Sequence, residues 1–213
     1  MASAFPSRRP ISDRELELLS CKNSGVRYER SAEGELIVTP PTGEKGGLGE
    51  GELYFQLRLW ASSNGRGIAT LASLGIELPN KAVVAPDAAW VSFDRYNAIP
   101  EEAHDEGYMR AVPEVTFELL SKGDKPDDVQ AKVKQYLANG VKLVVLLDPR
   151  SRSAELYRPG AAVEPHPDVE TISLDPELPG FSLDVKEIFD LTTIRRSQRM
   201  VRKPSKPARS RRS

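Results

Sequence analysis

The part of this chain that most narrows its fold is residues 115–147. Val115 to Leu120 is an apolar, strand-like segment. Residues 128–139 then carry Val129, Val133, Tyr136 and Leu137 on one side of a helix, and Gly140 stands where a left-handed residue would end it. Val141 to Leu147 follows as an apolar run interrupted only by Lys142, the pattern of a central strand covered on both faces. Strand, helix and strand in this order predict a crossover unit inside a mixed sheet, with helices packed on that sheet. Ligands in such sheets collect near strand ends.

The flanking sequence extends this α/β pattern. Ser12 followed by Glu15 reads as a capping box opening a helix to about residue 20. Strand-like runs occupy residues 25–28 and 35–39, with a turn at Glu33-Gly34 between them. The Pro- and Gly-rich stretch that follows reads as a loop. Leu53, Leu57 and Trp60 then give residues 48–63 a helical face, which Asn64-Gly65 ends. Extended segments are expected at 68–72, 76–78 and 88–91, a polar insertion at 93–109 forming a surface loop with helical turns, and a further strand at 154–157. From Ala161 onward the chain reads as irregular, apart from a short helix at 185–189. Three parts result: a lead-in at 1–24, a folded domain at 25–192 and a tail at 193–213.

Charge and composition remove several function classes. No run approaches the roughly 20 apolar residues of a membrane span. MASAFPSRRP lacks an apolar core after its basic pair, so a cytoplasmic location without membrane contact is expected. Cys21 is the only cysteine and His104 and His166 the only histidines, which argues against a zinc site. No G-x-S-x-G or phosphate-loop signature occurs. After Asp190 there is no acid but nine bases; removing these from the thirty leaves 21 bases against 31 acids. Affinity for a polyanion must therefore come from a local patch or from tail residues 195–213, expected to be disordered.

Two acids sit in strand-like surroundings. Asp87 follows Pro86 in VAPDAAWVS, and Glu118 lies within VTFELLS. A carboxylate in an apolar run needs compensation. A divalent cation is one source; a turn cap, a lysine or solvent is another. Magnesium takes hard oxygen ligands and keeps several waters, so one Asp, one Glu and a carbonyl suffice. Trp60, Trp90 and Tyr136 read as core residues rather than stacking platforms.

The segments GELIVTPPTG (34–43), ELYFQLRLW (52–60), LPNKAVVAPDAAWVS (78–92), VPEVTFELLSKGD (112–124), VQAKVKQYLANGVKLVVLLDP (129–149) and LYRPG (156–160) resemble, in order and spacing, the Uma-two family of restriction-endonuclease-like proteins (DUF820 type). The resemblance runs from about residue 28 to 189 and implies a PD-(D/E)XK nuclease fold, a Mg²⁺ or Mn²⁺ cofactor and DNA as partner. It implies that Asp87 and Glu118 are metal ligands. It places Glu52 on a helix beside the site, where a solvated acid is the alternative, and Lys132 on the helix after the Glu118 strand, where an exposed lysine is the alternative. Ser121 would orient Glu118 or cap a turn. By analogy a homodimer is possible. Two departures matter: the helix-opening segment GLGEGEL (47–53) lacks the His or Asn that relatives often carry there, and the family lysine would fall at position 120, which is Leu120. Lys132, and after it Lys122, are the candidate replacements; without one, the chain would be an inactive nuclease-fold module that binds nucleic acid or a protein. As a helix-surface residue, Lys132 would contribute little to stability.

Overall fold

The computed structural model describes residues 3–5, 9–22, 25–105 and 107–193; the basic tail lies outside them. Six strands form the central sheet: β4 (Gly67–Leu71), β7 (Ala88–Ser92), β8 (Val115–Leu119), β9 (Leu143–Asp148), β10 (Ser153–Tyr157) and β11 (Glu164–His166). Their spatial order is β11-β10-β9-β8-β7-β4. Only β8 and β9 run parallel, and the helix between them, α4 (Pro126–Ala138), is the expected crossover. The fold is thus a mixed α/β structure whose central sheet is flanked by helices.

A second sheet has the order β1-β3-β2-β6-β5, from β1 (Ser3–Phe5), β2 (Arg27–Arg30), β3 (Leu36–Thr39), β5 (Ile76–Glu77) and β6 (Val83–Val84). Between β1 and β2 stands α1 (Asp13–Lys22), opened by the expected capping box: Ser12 Oγ lies 2.7 Å from Glu15 Oε2, and the Ser12 N–H donates to the same oxygen at 3.0 Å. Arg30 joins this helix to the sheet by donating to Asp13 at 2.6 Å.

Strand alternation sends side chains to two cores. On one face Ala88, Trp90, Val115, Phe117, Leu143, Val145 and Leu147 pack beneath α2 (Glu44–Asn64) and α5 (Val185–Thr193). On the other, Ala89, Val144 and Leu146 pack against Val133 and Tyr136 of α4 and Ile76 and Val84 of the second sheet. Trp60 meets Trp90 edge-on, centroids 5.7 Å apart, in keeping with core roles. The residues opposite one another on the second face include Asp87 and Glu118.

Two segments differ from expectation. Helix α2 begins at Glu44, inside the glycine-rich stretch read as loop. A Cβ at Gly49 would come within 2.6 Å of Thr192 and 2.7 Å of Leu119, so this glycine is required by helix packing rather than by a turn. Past residue 161 the chain is ordered into β11, β12 (Thr171–Ser173), β13 (Ser182–Asp184) and α5. The polar insertion carries the helical turns expected of it, among them a short helix, α3 (Phe93–Asn97), capped by Ser92. No helix among the described residues is long and apolar enough to cross a membrane.

Candidate active site

Asp87 directly precedes β7, and its N–H donates to Phe117 O of β8 at 3.1 Å. The pairing of Ala88 with Phe117 then sets Asp87 opposite Glu118. The two carboxylates therefore occupy neighbouring strands and share the face toward α4. Both are buried. Asp87 is held by its own strand pair: Oδ2 accepts the Leu119 N–H at 2.8 Å. Its Oδ1 faces the Arg27 guanidinium at 3.2 Å.

Helix α4 presents Lys132 and Tyr136, one turn apart on one face, to Glu118. Lys132 Nζ is 2.9 Å from Glu118 Oε1 and 3.0 Å from Oε2. The Tyr136 hydroxyl donates to Oε1 at 2.7 Å. Only 27% of the Lys132 side chain reaches solvent, so it is not the exposed helix lysine of the alternative reading. Strand β2 adds two more charges. Glu29 accepts the Ala85 N–H at 2.8 Å and lies 3.8 Å from Lys132 Nζ, while Arg27 also bonds Ala85 O at 2.9 Å. From α2, Glu50 is near enough to Asp87 and Arg27 to feel both, and accepts from Thr42 at 3.0 Å.

Electrostatics follow from this crowding. Burial pushes the Glu118 carboxyl up to about 7; Lys132 opposes the rise and Asp87 adds to it. Burial also raises Glu50, again with help from Asp87. Burial alone would lower Lys132, but Glu118, Glu29 and Asp87 outweigh it and hold its ammonium charged. Burial and Glu118 together raise the Tyr136 hydroxyl well above its usual range, so it stays a donor. Four carboxylates (Glu29, Glu50, Asp87, Glu118) face two cations (Arg27, Lys132), a formal deficit of two positive charges.

Of the residues singled out in the sequence, Asp87, Glu118 and Lys132 converge. Glu52 does not join them: it bonds Gln56 at 3.0 Å, and Gln56 reaches Asp184. Two residues along a helix turn about 200°, so the acid facing Asp87 is Glu50 instead. That difference was signalled in the sequence, since Glu50 shares the stripe of Leu53 and Leu57 and Glu52 does not. Ser121 caps a turn: its N–H donates to Asp124 at 2.7 Å and its Oγ accepts from Gly123 at 3.3 Å. Lys122 is exposed. Leu120 continues past β8, its N–H bonded to Leu147 O at 2.8 Å. Tyr136 was read only as core, and Arg27 and Glu29 were passed over in the charged strand RYER.

The donor set suits a hard divalent ion. Among the described residues no three Asp, Glu, His or Cys side chains converge as ligands; the two carboxylates on adjacent strands are Asp87 and Glu118, paired with Arg27 and Lys132. That matches the sparse, water-rich coordination of magnesium better than the closed cages of zinc or calcium.

A family model described as "Uma2: Putative restriction endonuclease" matches residues 13–186. The chain belongs to this family. The Uma2 match takes in α1 and stops within α5. Among solved structures, one described as a putative nuclease belonging to DUF820 from Anabaena variabilis superposes with a TM-score of 0.69 at 20% identity, covering 86% of this chain and 99% of that one. At that identity the likeness establishes the shared fold. The DrdV–DNA complex aligns with a TM-score of 0.34 at 17% identity over 65% of this chain and 11% of the other, too slight to bear on either fold or partner. No curated protein matches the chain.

Proposed function

We propose that the protein is a divalent-metal-dependent endonuclease that hydrolyses phosphodiester bonds of DNA, with Mg²⁺ or Mn²⁺ held by Asp87 and Glu118. The observation that carries this reading is the pair of buried carboxylates on adjacent strands within a cluster short of two positive charges. Membership of a family described as restriction endonucleases supports the reaction class. When bound, the ion supplies Lewis-acid stabilisation of charge building on the phosphate and activates water. The chain's own groups do the rest. The Leu119 N–H fixes the Asp87 carboxylate, and Tyr136 and Lys132 fix that of Glu118. Lys132 brings a permanent positive charge to the site that Leu120 leaves apolar, the service a strand lysine would render to a developing anion. The tail, 195–213, adds sequence-independent attraction to the backbone.

A second reading is an inactive nuclease-fold module, favoured by Leu120 and by the engagement of Lys132 with both Glu118 oxygens. Plasmid nicking separates the two. The expected result is nicking with Mg²⁺ or Mn²⁺ that is lost in EDTA and falls at least a hundredfold in Asp87→Ala. Metal binding by titration calorimetry without any nicking would select the inactive module.

A further inference from the structure

Arg27 is the cluster's only guanidinium, and it is engaged by one nitrogen. Nη1 makes both of its hydrogen bonds, to Ala85 O at 2.9 Å and to Asp87 Oδ1 at 3.2 Å. Among the described residues, Nε and Nη2 bond to none, although a guanidinium carries five N–H donors in a planar fork. The contact with Asp87 is also longer than the 2.7–2.9 Å usual for a charge-assisted bond. One fifth of the Arg27 side chain is open to solvent, whereas only 8% of Asp87 is. The side chain is thus more open to solvent than the carboxylate it contacts, and it has unused donors. Alternation along β2 points Arg27 and Glu29 to the same side, and Glu29 lies beside Lys132.

We propose that Arg27 is a phosphate-binding residue of this site: its free donors take a non-bridging oxygen of the nucleic-acid backbone, and its bond to Asp87 holds the fork ready until Asp87 is neutralised. The inference deepens the endonuclease reading and rests on it for the identity of the ligand. The planar fork matches two phosphate oxygens, which an ammonium cannot do. Arg27 also serves the charge balance, because a phosphate approaching Asp87, Glu118, Glu50 and Glu29 needs a cation in front of them.

The test measures binding of a short DNA duplex in EDTA, where no cleavage competes, as a function of salt. Three proteins are compared: wild type, Asp87→Asn, and Asp87→Asn/Arg27→Gln. Neutralising Asp87 frees the guanidinium, so Asp87→Asn binds more tightly than wild type, and the slope of log K against log salt steepens by about 0.9, one phosphate contact. Adding Arg27→Gln removes that increment and weakens binding by on the order of tenfold. Were Arg27 only a structural counter-ion for Asp87, the single and double variants would have the same slope and affinity, and that result overturns the proposal. Should the double variant lose its cooperative unfolding transition, the single variant decides, because a slope equal to that of wild type also overturns it. Failure of the endonuclease reading is seen separately, as absence of nicking by the wild type with metal.

Discussion

Replacing Lys132 by methionine removes the ammonium but keeps an apolar stem along the helix. The charge balance around Glu118 sets the cost. In the metal-free wild type Glu118 titrates near 7 because burial raises it and Lys132 opposes that rise. Without the ammonium only the Tyr136 hydrogen bond still opposes burial and Asp87, and the carboxyl rises further. An acid whose folded-state pKa is raised binds its proton more tightly folded than unfolded. Stability therefore falls as pH rises from the unfolded value, about 4.3, up to the folded value, and is flat beyond it. For the wild type that window closes near 7. For Lys132→Met it stays open, and each further pH unit costs about 1.4 kcal/mol. At pH 6 Glu118 holds its proton in both folded proteins, so the variant loses about 1 kcal/mol, an ordinary hydrogen bond. By pH 9 the additional loss is larger, with an upper bound of about 3 kcal/mol over the two pH units above 7. Urea unfolding in EDTA at pH 6, 7.5 and 9 reads the difference directly, and Glu118→Gln/Lys132→Met should show no such slope. A Lys132→Met penalty that is the same at pH 6 and pH 9 refutes this account of the pair.

Two further outcomes are expected. Tyr136→Phe deletes the donor 2.7 Å from Glu118 Oε1 and should lower stability by about 1.5 kcal/mol, the low end for a bond to a charged group because Lys132 still covers that oxygen; a urea midpoint equal to that of wild type at unchanged m counts against the bond. Removing residues 195–213 takes away nine bases and should flatten the salt dependence of DNA binding, whereas an unaltered slope would exclude the tail from the interface.

The crossover unit was legible because its signals are local. The periodicity of α4, the left-handed Gly140 at φ 95° and the apolar run of β9 lie within one stretch of chain, and Glu118 and Lys132 belong to it. The second sheet was only partly legible. Strand β5 falls within the extended segment expected at 76–78, but β6 is two residues long and too short for alternation to register; tertiary pairing makes it a strand. The start of α2 was missed for a related reason: five glycines between 43 and 51 outweigh any local helix preference, and contacts with α5 and Leu119 supply what propensity does not.

The same contrast explains which half of the site the sequence disclosed. Asp87, Glu118 and Lys132 could be matched to family motifs, and each is an irregularity in its own segment. Arg27 and Glu29 sit in a strand whose residues are three-quarters charged, where no single charge stands out. Sixty residues separate Arg27 from Asp87, and only the docking of the second sheet onto the first joins them. The acids needing a cation come mainly from the central sheet and α2, and the guanidinium that meets one of them comes from the other sheet. Any change that shifts β2 relative to β7 by about an ångström should thus loosen Arg27 from Asp87 and draw Glu29 away from Lys132, while the direct bonds from Lys132 and Tyr136 to Glu118, made between α4 and β8, persist. The site is in this sense two units: a carboxylate–lysine–tyrosine group built by one crossover, and an arginine laid over it by a separate sheet.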